Sequence, residues 1–129
     1  MQRDPQYSDV VGEVADYLRC RIADCRAAGI AEDAILVDPG FGFGKTQAHN
    51  LDLFRQLPRL TTLGAPLLVG VSRKSMVGHL TGRPVEQRLA GSVALAALAA
   101  AYGAAVLRAH DVAETVDAVR VGAAMRGVD

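Results

Sequence analysis

The sequence predicts an α/β domain whose centre is a parallel sheet. Three short apolar runs are typical of strands buried on both faces of such a sheet: residues 35–37, 67–71 and 105–109. The polar residues that end these runs, Asp38, Ser72 and Arg108, are 34 and 36 residues apart. This regular strand–helix period indicates right-handed parallel crossovers, so we expect the three polar ends to lie on one edge of the sheet.

The composition disfavours several classes of protein. The chain of 129 residues is long enough for one domain with a core, and its 14 basic and 14 acidic residues cancel, which argues against a nucleic-acid or membrane surface. The longest apolar stretch, residues 93–107, is too short to span a bilayer, and the polar start MQRDPQYSD is not a signal peptide. Cys20 and Cys25 lack a metal-ligand spacing, so we expect reduced thiols in a cytoplasmic protein.

The first two helices are predicted from apolar spacing and from capping residues. Ser8 is the expected N-cap of the first helix and Gly29 its expected C-cap. Its apolar face repeats every four residues: Val10, Val14, Leu18 and Ile22. Asn50 is expected to cap a second helix, and Pro58 to begin a fresh turn that ends at Gly64.

The last two helices are predicted in the same way. Residues 78–83 are expected to form a polar loop, after which Pro84 opens a helix rich in small residues. Gly91 within that helix indicates the close approach of another backbone. The final helix is expected to begin with a capping-box spacing from Asp111 to Glu114. Its predicted apolar face consists of Val112, Val116, Val119 and Ala123.

A glycine-rich loop follows the first predicted strand, with glycines at 40, 42 and 44. A phosphate-binding loop would need its first glycine where Pro39 stands, and a dinucleotide fingerprint would need a glycine where Gln47 stands. Glycines let the backbone approach a ligand closely, and Phe43 between two of them offers a flat face to a planar ligand. The loop therefore indicates recognition of a planar ring.

Two positions beside this loop could bind a ligand. The Asp38 carboxylate could cap nearby amides of its own turn, or it could accept two hydrogen bonds from an amidine-like group of a ligand; the sequence favours neither interpretation. Arg73 and Lys74 follow the second strand between two serines. Two cations on the same edge as Asp38 favour the binding of an anion.

Arg108 and His110 are the two residues that most strongly indicate a ligand site. Strand alternation points both side chains the same way. The N-terminus of the last helix lies just beyond them, and its amides and positive dipole end attract anions. We therefore predict an anion site here. The alternative is that Arg108 pairs with Asp111 or with a carboxylate elsewhere.

Four segments, in this order and spacing, resemble the dihydropteroate synthase family: LVDPGFGFGK, LLVGVSRKS, GSVALAALAA and LRAHDVAETVDAVR. The likeness identifies residues 1–129 as the C-terminal portion of that family's pterin-binding barrel. The implied fold is a partial (β/α)₈ (TIM) barrel, with about three parallel strands and four helices of its C-terminal half.

The resemblance implies a transferase of folate biosynthesis. Such an enzyme joins 6-hydroxymethyl-7,8-dihydropterin pyrophosphate to 4-aminobenzoate, giving 7,8-dihydropteroate and pyrophosphate, and sulfonamides imitate the aminobenzoate. Lys74, Arg108 and His110 are the implied catalytic residues. Arg108 and His110 would hold the pyrophosphate, with Arg108 also along the pterin, and Lys74 would act by positioning and electrostatics.

Other residues of the same motifs are implied to bind the substrates. Asp38 would bind the amino group and ring nitrogens of the pterin, Phe43 would flank the ligands, and Gly70 would leave room beside the pterin. Ser72 would help hold the aminobenzoate carboxylate, and Lys74 would contact the pterin next to it.

The family's N-terminal half has no counterpart in this sequence. The resemblance puts the protein ligand of Mg²⁺ in that half, so the chain alone is expected to be inactive as a synthase. We expect a homodimer or larger assembly through helices 85–102 and 112–126. Two alternatives stay open: a non-catalytic half-barrel that binds pterin or pyrophosphate weakly, and a pterin-dependent methyltransferase barrel.

Overall fold

The chain alternates helices with short strands, as predicted. The computed structural model describes residues 6–127, which contain six α-helices and a two-stranded parallel sheet, where four helices and three strands were expected. The helices are α1 (Val10–Ala27), α2 (Gln47–Arg55), α3 (Leu57–Leu60), α4 (Ser75–Thr81), α5 (Leu89–Ala101) and α6 (Val112–Arg126). The strands are β1 (Leu68–Val69) and β2 (Val106–Leu107), and two 3₁₀ turns cover Glu32–Ala34 and Val85–Gln87.

The sheet is parallel, so the polar strand ends share one edge. β1 pairs with β2, with Leu68 opposite Val106. The predicted first strand is reduced to a single parallel bridge between Val37 and Leu67, beside which Leu68 N donates to Val37 O at 2.8 Å. The pairings are shorter than predicted. Each strand leads into a loop at the same edge of the sheet, and we call these three the edge loops: residues 38–46, 70–74 and 108–111.

The two faces of the sheet differ in exposure. Val37, Leu67 and Val69 point to one face and are 5%, 1% and 0% exposed. Side chains alternate along a strand, and on the opposite face Leu36 is 50% and Val106 37% exposed. The prediction of strands buried on both faces is therefore wrong for residues 6–127, because one face stays open to solvent.

The core lies on the buried face of the sheet. The predicted apolar face of α1 is confirmed, since all four of its residues are buried. Loop, helix and strand residues complete the core, and the largest fully buried side chains are Phe41, Leu53, Leu57, Leu60, Leu67 and Met76.

The ends of the first three helices partly follow the predictions. Asp9 rather than Ser8 caps α1, because its carboxylate accepts from Gly12 N at 3.1 Å, and a negative charge is favourable at a helix N-terminus. Gly29, with φ of 88°, follows α1 as predicted. Pro58 lies in the first turn of α3, also as predicted.

The predicted cap of α2 at Asn50 is wrong. Thr46 and His49 form a reciprocal capping box, in which each side chain accepts from the other residue's backbone N–H at 3.1 Å. The helix therefore begins at Gln47, and Asn50 is buried within it. A histidine in the role usually taken by glutamate hid this cap in the sequence.

The prediction of a loop over residues 78–83 is also wrong, because most of that segment belongs to α4, which ends at Gly82 with φ of 70°. Helix formation here buries Met76 and Val77 in the core. A 3₁₀ turn then follows Pro84, so α5 begins later than predicted.

The close backbone contact predicted at Gly91 occurs in the next helix instead. Gly91 makes room for the side chains of Val77 and Thr81. Gly122 of α6 is the glycine that lies against a backbone, because a Cβ there would overlap the carbonyl oxygen of Ala97 in α5. The contact between α5 and α6 thus depends on the absence of a side chain at Gly122.

The start and the apolar face of α6 differ from the predictions. Asp111 is the N-cap, but its side chain makes no capping bond, so the capping box is wrong; the carboxylate pairs with Arg73 instead. On the predicted apolar face, Val112 is 63% and Val116 40% exposed. With Leu107 they line an open groove of about 610 Å³.

The cysteines and the helices can be compared with what the composition predicts. Cys20 and Cys25 are free thiols, Cys20 exposed and Cys25 half-buried. In the part of the chain that the structure describes, no helix is long and apolar enough to cross a membrane.

A methyl group at Gly122 should separate α5 from α6. We expect Gly122→Ala to lower the free energy of unfolding by about 1–3 kcal/mol, the usual cost of overpacking, measured by urea denaturation. Asp117→Ala is the matched control, because Asp117 is exposed on the same helix and its replacement should change stability by less than about 0.5 kcal/mol. Equal stabilities for the two variants would contradict the tight contact.

Candidate functional site

The predicted site residues gather at the carboxyl edge of the sheet. Five of them line one cavity of about 360 Å³: Gly70, Ser72, Lys74, Arg108 and His110. The other two, Asp38 and Phe43, line a second cavity of about 370 Å³. Lys74 connects the two groups, because its ammonium nitrogen lies 4.9 Å from the centroid of the Phe43 ring.

Asp38 caps its own turn and stays open to a ligand. Its Oδ1 accepts from Gly40 N at 2.8 Å, which is the turn-forming role considered above. The residue is exposed, and strand alternation puts it on the same open face as Gly70 and Arg108. The two interpretations of Asp38 are therefore compatible.

The glycine-rich loop separates its two phenylalanines. Gly40, Gly42 and Gly44 have positive φ angles of 78°, 83° and 62°, a region that residues with side chains rarely adopt. In the resulting conformation Phe41 is fully buried, whereas Phe43 is 51% exposed. Phe43 is thus the aromatic ring that a planar ligand can reach.

Two lysines hold this loop by its carbonyl groups. Lys45 Nζ donates to Gly40 O at 2.8 Å and to Phe43 O at 3.0 Å. Lys74 Nζ, which comes from the loop after β1, donates to Phe41 O at 2.7 Å. The two edge loops are therefore joined through the ammonium group of Lys74.

Burial shifts the titration of both lysines in the same direction. Burial lowers the pKa of Lys74, the nearby Arg108 lowers it further, and Asp38 partly opposes the shift. Burial likewise lowers the pKa of Lys45, against which Asp38 acts, while Lys74 adds to the lowering. Each charged ammonium is thus less favourable in the folded chain than in water.

Arg108 occupies the space that Gly70 leaves. A Cβ at Gly70 would lie 2.8 Å from the Nη2 atom of Arg108, so any larger residue would make the guanidinium shift from this position. The alternative of an Arg108–Asp111 ion pair is wrong, because Asp111 binds the Arg73 guanidinium at 3.0 Å. Within residues 6–127 Arg108 forms no ion pair.

Ser72 and His110 form a reciprocal pair. The Ser72 hydroxyl lies 2.8 Å from His110 Nδ1, and the backbone N–H of His110 donates to Ser72 Oγ at 3.2 Å. When the hydroxyl donates to Nδ1, the ring proton of a neutral imidazole lies on Nε2. His110 is then oriented to donate a hydrogen bond.

Two buried polar side chains, Asn50 on α2 and Ser92 on α5, hold the edge loops, and sequence reasoning did not identify this role. Gly42 N donates to Asn50 Oδ1 at 3.0 Å, and Arg73 N donates to Ser92 Oγ at 2.9 Å. Thr115, which is also buried, bonds within its own helix, since its Oγ1 donates to Asp111 O four residues earlier at 2.7 Å. The available signal was a polar residue on the buried side of an otherwise apolar helix.

The side chains of the first cavity could hold an anion. Three side chains that are or can become cationic, Lys74, Arg108 and His110, line it, and the start of α6 follows His110 directly. A metal site has less support: across residues 6–127 no three His, Cys, Asp or Glu side chains come together that could hold a metal ion.

Comparison with known proteins identifies the family. Residues 1–110 match the family described as pterin binding enzyme. The chain belongs to this family. Among pterin binding enzymes, the dihydropteroate synthase of Neisseria meningitidis serogroup C is 55% identical over 127 residues, which cover 97% of this chain and 45% of the relative.

Solved structures of pterin binding enzymes have the same fold over the aligned part. The Yersinia pestis dihydropteroate synthase, solved in a complex with a sulfonamide drug, superposes with a TM-score of 0.92 at 48% identity, covering 98% of this chain and 46% of that one. The Xanthomonas albilineans enzyme in complex with 7,8-dihydropteroate gives 0.91 at 52% identity, covering 100% and 50%. The chain therefore spans about half the length of these relatives.

The lowered pKa of Lys74 should appear in the pH dependence of stability. Between its folded pKa and the ordinary value of 10.5, the unfolded chain binds more protons at this site, so stability rises with pH. We expect the wild type to gain unfolding free energy relative to Lys74→Met as pH increases from neutral to 10.5. Urea titrations at several pH values measure this difference.

The control for this experiment is Arg59→Met, which removes an exposed cation that does not titrate in this range. Its pH profile should run parallel to that of the wild type. A profile of Lys74→Met that also runs parallel to the wild type would contradict the lowered pKa.

Proposed function

We propose that this chain is the C-terminal portion of a dihydropteroate synthase, a (β/α)₈ barrel enzyme that condenses 6-hydroxymethyl-7,8-dihydropterin pyrophosphate with 4-aminobenzoate. The observation that carries the proposal is the arrangement of Lys74, Arg108 and His110 around one cavity, with Phe43 against Lys74. Family membership and the relatives solved with 7,8-dihydropteroate and with a sulfonamide drug support it.

Asp38, Phe43 and Arg108 would recognise the pterin. The exposed Asp38 carboxylate can accept hydrogen bonds from the amino group and a ring N–H of a pterin. The Phe43 ring offers its face to the flat heterocycle. Gly70 leaves room for the Arg108 guanidinium, which can then lie along the same ring system.

Arg108 and His110 would stabilise the departing pyrophosphate. The bond between the methylene carbon and the pyrophosphate oxygen breaks, and the electron pair leaves with the pyrophosphate. Cationic groups and the first-turn amides of α6 favour this step because they stabilise the charge that develops on the leaving group. The neutral amine of 4-aminobenzoate then attacks the methylene carbon and loses one proton to solvent.

Ser72 and Lys74 would hold the aminobenzoate, with Lys74 contributing charge next to its carboxylate. The Ser72 hydroxyl has one proton, which it gives either to His110 Nδ1 or to the carboxylate. Donation to the carboxylate requires His110 to carry a ring proton on Nδ1 and to donate it to Ser72 Oγ. A neutral His110 in that tautomer has no proton on Nε2, so occupation of the aminobenzoate position would change what His110 offers the pyrophosphate.

The remaining barrel strands and the Mg²⁺ ligand would lie outside this chain. The open face that bears Leu36 and Val106 supports an incomplete barrel, because that face would be interior in a closed one. Across the described residues, no three His, Cys, Asp or Glu side chains come together that could hold the Mg²⁺ ion. A cytoplasmic location remains part of this proposal.

The favoured alternative is a non-catalytic half-barrel that binds a pterin or pyrophosphate weakly, and the same open face supports it. A pterin-dependent methyltransferase barrel has less support. A methyl transfer releases no pyrophosphate, so it leaves the cationic cavity formed with Arg108 and His110 without a function.

The proposal is tested by activity and by binding. We expect no detectable dihydropteroate formation by the 129-residue chain, together with measurable pyrophosphate binding in calorimetry. Arg108→Gln should weaken pyrophosphate binding about tenfold or more, because it removes a charged hydrogen-bond donor. Gly70→Ala should have a similar effect, since the new Cβ displaces the guanidinium.

The matched control is Arg55→Gln, an exposed arginine on α2, which should leave pyrophosphate affinity unchanged. Dihydropteroate formation by the chain alone would contradict the expected inactivity. Failure to bind both pyrophosphate and a pterin would favour an inert scaffold over either proposal.

We also propose self-association through α5 and α6. These helices expose apolar side chains at Leu98, Val121 and Met125, which are 44%, 59% and 76% exposed. Sedimentation should show a homodimer or a larger species, and Met125→Lys should shift it towards monomer. Ala23→Lys, which adds the same charge to an exposed position of α1, should not. A monomeric wild type at high concentration would contradict this proposal.

A further inference from the structure

Arg73 has an unusual backbone conformation. Its φ is 59°, and it is the one non-glycine residue with a positive φ in the described part of the chain. This left-handed region is unfavourable for a residue with a Cβ. Such a conformation persists only when the surrounding structure holds it, and it is concentrated at functional sites.

Three contacts hold Arg73, one from Ser92 within α5 and two from the residues that precede α5 and α6. Its N–H donates to Ser92 Oγ at 2.9 Å, and its carbonyl oxygen accepts from Arg88 Nη1 at 2.9 Å. Its guanidinium binds the Asp111 carboxylate, with Nη2 to Oδ1 at 3.0 Å. The N–H, the carbonyl and the side chain of one residue are thus all engaged.

The two residues that hold the backbone are themselves fixed. Ser92 is 6% exposed within α5. Arg88 precedes α5, donates from Nε to Arg83 O at 3.1 Å, and lies across Gly78, where a Cβ would overlap its guanidinium. Neither Ser92 nor Arg88 lines the cavity that holds Lys74 and Arg108.

Arg73 stands between two residues of the proposed site. On one side Ser72 binds His110 at 2.8 Å, and on the other Lys74 reaches Phe41 O at 2.7 Å. A change of φ at Arg73 from the left-handed to the common region would redirect the chain between them. The Ser72 hydroxyl and the Lys74 ammonium would then separate from their partners.

We propose that Ser92 and Arg88 are positioning residues, which hold Arg73 in its left-handed conformation and thereby set Ser72 against His110 and Lys74 against Phe43. What the positioned groups do rests on the proposed function. The positioning itself is a property of the free chain and can be measured without any substrate.

The decisive experiment is nuclear magnetic resonance of the wild-type chain and of Ser92→Ala. Alanine is at least as good a helix former as serine, so α5 should stay intact. We expect Ser92→Ala to lose the nuclear Overhauser contacts between the Lys74 side chain and the Phe43 ring. The ¹⁵N shift of His110 Nδ1 should move as its bond to Ser72 weakens. Ser92→Thr keeps a hydroxyl and should restore both signals.

A second variant and a control make the outcome unambiguous. Arg88→Gln removes the other contact with the Arg73 backbone and should produce the same two changes. If Ser92→Ala does not fold, the signals of Arg88→Gln test the positioning role. Thr62→Ala removes a hydroxyl that bonds Arg59 O at 2.9 Å. Thr62 precedes β1, whereas the cavity residues follow the strands, so this variant should change neither signal. Wild-type signals in folded Ser92→Ala and Arg88→Gln would overturn the proposal.

Titration with inorganic pyrophosphate separates this inference from the proposed function. If both hold, Ser92→Ala should bind pyrophosphate about tenfold more weakly than the wild type, the effect of losing one hydrogen bond that positions the site. If the wild type does not bind pyrophosphate but the two signals change in Ser92→Ala, the anion site is refuted and the positioning role stands.

Discussion

The candidate site depends on two hydrogen bonds made by polar side chains that are buried in helices. Asn50 and Ser92 are 3% and 6% exposed, and each accepts from a backbone N–H of a different edge loop. A buried polar group without a partner is costly, and in residues 6–127 every buried side-chain nitrogen and oxygen has one. Loss of either bond would leave a buried polar side chain unpaired and would free a loop of the site. The core and the site are therefore stabilised together.

Hydrogen bonds to backbone carbonyls and a nearby carboxylate explain how the chain tolerates several cations at one edge of the sheet. Lys74 and Lys45 direct their charges at backbone carbonyls of the glycine-rich loop, and the exposed carboxylate of Asp38 favours the charged form of both. Arg108 and His110 line the same cavity as Lys74. In the proposed anion site, such a group of side chains would raise the local concentration of a multiply charged anion before any specific contact forms.

The sequence predicts the alternation of helices and strands and the meeting of the site residues, because parallel strands put their carboxyl ends on one edge. It does not predict what depends on contacts distant along the chain. The cap of α2 uses His49 in an unusual role, and α4 forms where Met76 and Val77 become buried. The apolar runs indicate strands buried on both faces, yet Leu36 and Val106 remain exposed. An apolar run is the same whether or not a second layer covers the sheet, so it does not distinguish the two cases.

The hydrogen bond from Lys74 to Phe41 O has a consequence for the energetics of ligand entry. An ammonium group has three N–H donors, and the carbonyl of Phe41 takes one of them. Two donors are therefore available to a ligand of the proposed anion site, which can bind while the glycine-rich loop stays attached to Lys74. Because this bond orders the loop before binding, less conformational entropy would be lost when such a ligand enters.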